Sequence, residues 1–179
     1  MAHYKLPFTP LNIAVLTVSD TRDENTDSSG AYFVEALTKF EHHLAEKQIV
    51  KDDVYQIRAV VSKWIASDTV QAILVTGGTG FTARDTTPEA VAPLFDKSVE
   101  GFGELFRYAS AKEIGTSTIQ SRALAGVANG TVIFCVPGSP GACKTAWENI
   151  IASQLDASHK PCNFVPHLKN ATISCNTRG

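Results

Sequence analysis

Apolar positions along this chain change period from segment to segment, and the changes outline alternating strands and helices. Leu11–Ser19, LNIAVLTVS, is a β-branched apolar run, the pattern of a strand buried on both faces. A polar loop over Asp20–Ser29 follows, and from Gly30 a helical period places Phe33, Val34, Leu37, Phe40 and Leu44 on one face. Lys47–Val50 reads as a second strand, and Asp52-Asp53 opens a helix with Ile57, Val60, Val61, Trp64 and Ile65 on its stripe. A third strand, Ala72–Thr76, precedes a helix from Pro88 that carries Val91, Leu94 and Phe95. Such alternation predicts parallel strands with helices on both faces, and ligands at the carboxyl ends of the strands.

The second half departs from this pattern once. Arg122–Ala128 and Thr131–Val136 flank Asn129-Gly130, and Asn-Gly between two apolar runs signals a hairpin. The expected fold class is therefore α/β, a three-layer sandwich whose mostly parallel sheet includes an antiparallel hairpin. A second glycine turn, Pro137–Gly141, leads into a helix over Ala142–Ile151 with Ala146, Trp147, Ile150 and Ile151 inward. Glu100–Glu113 should be helical, with Phe102, Leu105, Phe106 and Tyr108 close together. The other helices suffice to cover the sheet, so these aromatic residues are expected to bury against a neighbouring subunit.

Composition narrows the class. The 179 residues carry a net charge of −2 and are 44% hydrophobic and 19% charged, as in an ordinary single globular domain. One domain over residues 1–170 is expected, with 171–179 as a flexible tail and Lys160–Gly179 as the only tail-like segment. No basic balance favours nucleic acid. No apolar run reaches membrane-span length and MAHYKLPFTP lacks an apolar signal core, so a cytoplasmic protein is expected. Cys135, Cys143, Cys162 and Cys175 show no zinc-ligand spacing and are expected as free thiols, Cys135 in the core. His42-His43 reads as a solvated helix end rather than a metal site.

The residues that could carry chemistry cluster after the third strand. VTGGTGFTARDTTPEA, Val75–Ala90, sets Gly77, Gly78 and Gly80 around Thr79, with Arg84 and Asp85 just ahead of a helix start at Thr87-Pro88. Glycines at a strand's carboxyl end let backbone N–H groups approach an anion; tight-turn geometry is the alternative. The run matches neither a P-loop nor a dinucleotide fingerprint, so it reads as a phosphate loop of another kind. Asp85, a carboxylate beside that loop, makes sense if a divalent cation bridges it to phosphate; favouring the positive end of the helix is the alternative. Thr87 suits an N-cap with Pro88 at the first helical position. Asp52 stands on the same rim, where ligand work and helix capping are both open. Ser139, with the Gly138 and Gly141 amides, could hold a second phosphate or a polar ring edge. Ser19 and Asp20 fit a turn, and Arg84 is placed either to contact phosphate or on the surface.

Taken together, VTGGTGFTARDTTPEA and CVPGSPGAC closely resemble the motifs of the MoaB/Mog molybdopterin-binding domain family. EGFGELFRYASAKEIGTSTIQSRALAGVANGTVIFCVPGS, TAWENIIASQLDA and PCNFVPHLK extend the resemblance from Leu11 to about Leu168. It implies a homotrimer, or a homohexamer of two trimers, that binds molybdopterin and works alongside other molybdenum cofactor proteins. It also implies adenylylation of molybdopterin with ATP and Mg²⁺, with release of pyrophosphate. Carried over by position, Gly77, Gly78, Thr79 and Gly80 form the anion loop, Asp85 and Asp52 are the functional acids, and Gly138 and Ser139 belong to the second motif. Lys51 stands where the family usually has proline before the acid. A non-catalytic molybdopterin carrier is the alternative function, and a nucleotide-binding module unrelated to pterin is a third.

Overall fold

The computed structural model describes residues 7–171. Six strands form one sheet, β1 (Asn12–Val18), β2 (His43–Val50), β3 (Ala72–Thr76), β4 (Lys97–Ser98), β5 (Leu124–Ala128) and β6 (Thr131–Val136), in the order β2-β1-β3-β6-β5-β4. The first four in that order are parallel, and β5 and β4 add antiparallel pairs at one edge. The expected three-layer α/β sandwich with a hairpin is borne out. Asn129 and Gly130 turn β5 into β6 with φ of 47° and 67°, the doubly left-handed turn that Asn-Gly favours.

Strand side chains alternate between two cores, as the period of two requires. Ile13, Val15, Leu74, Phe134 and Val136 face α1 (Ser28–Lys39), α4 (Glu100–Ile114) and α5 (Pro140–Ala146). Ala14, Leu16, Ile73, Val75, Ile133 and Cys135 face α2 (Val54–Ala66) and the short α3 (Thr87–Val91). Beyond α5 the chain stays helical through a π turn at Trp147–Ile151 and a last short helix, α6 (Ala152–Gln154).

Several boundaries differ from the sequence expectation. The first helix ends at Lys39, because Glu41 takes a left-handed φ of 62° and the Phe40, Glu41 and His42 amides fold back onto Ala36, Thr38 and Leu37 carbonyls. Leu44 therefore lies on β2 opposite Ile13, not on the helix face. α3 stops after five residues because Pro93 has no amide proton to continue it; Leu94 and Phe95 follow in and beyond a 3-10 turn. Phe102 and Phe106 are 3% and 1% exposed within the chain's own core, so they are not the expected subunit contact. Leu105 and Tyr108 on the other side of α4 remain exposed.

His42 is buried and accepts a hydrogen bond from the Leu11 amide at Nδ1, so it is no solvated helix end. Residues 160–171 are anchored rather than tail-like: Val165 and Leu168 are buried, and Lys169 Nζ donates to the Ile65 and Ser67 carbonyls at 2.8 and 2.7 Å. The expected flexible segment lies, from residue 172 on, outside the described residues, as does Cys175. Cys135 and Cys143 are buried free thiols and Cys162 is an exposed one.

Candidate active site

The carboxyl ends of β1, β3 and β6 meet at a cleft of about 300 Å³. Its walls are Thr17–Ser19 and Arg22 from the β1 side, Thr76–Gly80 and Asp85 from the β3 side, and Pro137-Gly138 from the β6 side. The two glycine motifs touch here: a Cβ at Gly138 would stand 3.2 Å from the Gly77 Cα.

The glycines of the first motif are demanded by the protein's own packing. Gly77 and Gly78 have φ of 103° and 64°, a region that L side chains avoid. A Cβ at Gly77 would meet the Val18 carbonyl oxygen at 2.1 Å; at Gly78 it would meet Thr87 Oγ1 at 2.4 Å and Asp52 Oδ2 at 2.5 Å. These directions point into the protein rather than into anion space. What the conformation leaves toward a ligand is backbone: among the described residues, the Gly78 and Thr79 amides have no intramolecular acceptor. Successive free amides of this kind form an anion-binding nest.

Among the described residues, Asp85 supplies the one carboxylate on the cleft wall. Its Oδ2 accepts from the Thr82 amide at 2.8 Å and the Thr82 hydroxyl at 2.6 Å. Burial pushes the carboxyl up, but these bonds, the Gly80 amide and the charge of Arg122 outweigh it and hold the group below its ordinary value. Asp85 is thus a fixed anion at neutral pH.

Asp52 stands behind the loop instead of on the cleft. Its Oδ1 accepts from the Thr86 amide at 2.9 Å and the Thr86 hydroxyl at 2.7 Å, which pins the end of the loop. Helix capping falls to Asp53, whose Oδ1 accepts from the Tyr55 and Gln56 amides. Thr87 is not an N-cap either. It is the first residue of α3, and its hydroxyl donates to the Gly77 carbonyl at 2.8 Å while its amide donates to the Gly78 carbonyl. Thr79 is buried, and Ser139 caps α5 by accepting from the Ala142 amide at 3.2 Å, which leaves its proton free to donate. Ser19 has the expected turn role, accepting from the Thr21 and Arg22 amides. Arg84 is exposed and paired with Asp20 at 2.7 Å, away from the cleft wall.

Sequence reasoning missed three supports. Arg122 grips the loop: Nε donates to the Gly80 carbonyl at 2.7 Å, a terminal nitrogen donates to the Asp85 carbonyl at 2.8 Å, and the other pairs with Glu89. Arg22 lines the cleft, and Ser29 bridges it to the Gly138 carbonyl. Asp27 is buried beneath them, held by Lys47, Thr17 and the Gly30 amide. No local motif marks these residues; only the Asp20–Ser29 loop's polar density hinted at the last two.

Among the described residues, no group of three or more His, Cys, Asp or Glu side chains is arranged to hold a metal. The donors here suit a hard divalent cation that keeps water and substrate phosphates as most of its ligands, the usual habit of Mg²⁺.

The fold and the motifs have counterparts. Residues 14–157 match the family model described as "Probable molybdopterin binding domain". The chain is 60% identical to molybdenum cofactor biosynthesis protein B of Escherichia coli K12 over 169 residues, covering 94% of this chain and 99% of that protein. A crystal structure of a molybdenum cofactor biosynthesis protein B superposes with a TM-score of 0.80 at 42% identity, over 82% of this chain and 92% of that one. The tungsten cofactor synthesizing protein MoaB from Pyrococcus furiosus superposes with a TM-score of 0.71 at 38% identity, over 78% and 89%. Continuous coverage of both glycine motifs and the whole sheet places this chain in the MoaB/Mog family of molybdopterin-binding domains, among the molybdenum cofactor biosynthesis proteins.

Proposed function

We propose that this chain binds molybdopterin and adenylylates it with Mg-ATP, releasing pyrophosphate. The observation that carries the reading is the juxtaposition, in one cleft, of the unpaired Gly78 and Thr79 amides with the fixed Asp85 carboxylate. Amides alone would suit any anion. A carboxylate held ionised beside them suits phosphates that arrive with a divalent cation.

The chemistry asks for positioning more than for a base. The pterin phosphate is largely ionised at neutral pH, since a phosphate monoester has a second pKa of about 6. One of its oxygens forms a bond to the α-phosphorus of ATP while the bond from that phosphorus to the β-phosphate breaks, and pyrophosphate leaves with the electron pair. Asp85 would hold Mg²⁺ together with the substrate phosphates, and the ion would supply charge neutralisation at the leaving group. The chain's own part is to hold two anions in line on the amide nest and to exclude alternative poses. Asp52 acts from behind, by fixing the Thr86 end of the loop.

Exposed Leu105, Tyr108, Ile114 and Ile119 on and after α4 support assembly into the trimer or hexamer that the resemblance implies. Among the described residues, no helix is long and apolar enough to cross a membrane, which agrees with work in the cytoplasm. The test of function is direct: purified chain with molybdopterin, ATP and Mg²⁺ should form adenylylated molybdopterin and an equal amount of pyrophosphate. Binding of molybdopterin with no pyrophosphate above background would leave the carrier reading instead.

A further inference from the structure

We propose that Arg22 is the cationic receptor for a phosphate group in this cleft, reaching it from the β1 side while the Gly78 and Thr79 amides offer hydrogen bonds from the β3 side. Among the described residues it is the only Lys or Arg on the cleft wall. Its placement is built: the Arg22 amide is tied to Ser19 Oγ at 3.1 Å, and one terminal nitrogen donates to Ser29 Oγ at 2.8 Å. Ser29 in turn donates to the Gly138 carbonyl at 2.8 Å, so the guanidinium is referenced to the second glycine motif.

The rest of that guanidinium is unspent. Among the described residues, Nε and the other terminal nitrogen of Arg22 have no acceptor, although the side chain is only 29% exposed. Asp27 does not explain the residue. That buried carboxylate lies 4.0 Å from Arg22, and it already holds Lys47 at 3.0 Å, the Thr17 hydroxyl at 2.9 Å and the Gly30 amide at 2.8 Å. Other nearby cations are committed elsewhere: Arg84 to Asp20, and Arg122 to Gly80, Asp85 and Glu89. A planar fork with two free donors beside an amide nest matches phosphate oxygens, which a point-charge ammonium matches less well.

The inference rests on the reading of the cleft as a phosphate site, not on catalysis. Two ligands bring the chemistry, the pterin's phosphate monoester and the ATP triphosphate. Calorimetric titration of the full chain with inorganic phosphate and, separately, with ATP distinguishes them. Arg22→Gln should weaken one or both by about tenfold or more, the effect of losing a charged hydrogen bond, while Arg22→Lys falls in between. Loss confined to phosphate assigns the pterin end, and loss for ATP assigns the nucleotide. Thermal unfolding checks that Arg22→Gln is folded; if it is not, a weakened Arg22→Lys supports the proposal and an unchanged one overturns it. Wild-type affinity for both ligands in folded Arg22→Gln overturns it, as does a wild-type chain that binds neither. Arg22-dependent anion binding in a protein that releases no pyrophosphate would leave Arg22's assignment standing and remove the transferase.

Discussion

Alanine at Gly78 should cost stability and alanine at Gly80 should cost function, although the two glycines are two residues apart in one motif. At Gly78 the backbone is left-handed with φ of 64°, which costs an L residue about 1–2 kcal/mol. The new methyl would also stand 2.4 Å from Thr87 Oγ1 and 2.5 Å from Asp52 Oδ2. Thr87 would have to give up its bond to the Gly77 carbonyl, worth a further 0.5–1.5 kcal/mol or about that. Gly78→Ala should therefore lose about 1.5–3.5 kcal/mol, or about 3–14 °C of Tm for a chain of this size. Gly80 lies outside the left-handed region, and the nearest group to its Cβ would be the Asp85 carboxylate, at 2.9 Å from Oδ2. That side chain can turn aside, so Gly80→Ala should stay within about 1 kcal/mol of wild type. Its cost appears in function instead: a displaced Asp85 should lower adenylyl transfer by about tenfold or more, since misplacements near 1 Å can cost a hundredfold. Thermal unfolding and pyrophosphate release on the same preparations separate the two. Equal Tm losses, or a Gly80→Ala variant with full turnover, would refute this account of the loop.

Three more outcomes follow from single side chains. Burial pushes His42 down to about 4, against the raising influence of Asp156, so the folded state resists its protonation and stability should fall from pH 7 to pH 5 by about 2 kcal/mol. His42→Asn keeps an acceptor for the Leu11 amide and should flatten that slope in denaturant titrations at the two pH values; an unchanged slope assigns the dependence elsewhere. Arg122→Met abandons the Gly80 and Asp85 carbonyls and should cost about 1–3 kcal/mol of stability, together with a larger loss of turnover, read by unfolding and by product formation. Leu105→Ser with Tyr108→Ser should reduce the assembly mass in light scattering while each chain stays folded; an unchanged mass would place the subunit interface on another face.

The strands were legible because burial on both faces writes itself as unbroken apolar runs, as in β3, where all five residues are buried. The hairpin was legible because Asn129-Gly130 encodes its own turn. The end of the first helix is not legible because Phe40 and Leu44 keep the helical spacing across a chain reversal; the break lies in Glu41, a residue type that does not advertise a left-handed φ. β4 has two residues and no periodicity to detect. Phe102 and Phe106 looked surplus because sequence does not show that α4 itself completes the layer over Phe134. The glycines and Asp85 on the cleft wall are legible in sequence because glycine spacing is local. Arg22, Asp27 and Arg122 act through Ser29, Thr17 and Gly80, which lie 7, 10 and 42 positions away from them, and single-sequence patterns carry no such pairing.

In the proposed reaction, Asp85 serves charge developing during adenylyl transfer rather than ligand binding alone. Single-turnover pyrophosphate release by Asp85→Asn, measured beside its molybdopterin affinity, tests that claim most directly. The expected result is a rate at least about a hundredfold below wild type with affinity changed less than about threefold, the signature of an interaction made only in the transition state. Equal losses in affinity and rate, or full turnover by Asp85→Asn, would contradict it.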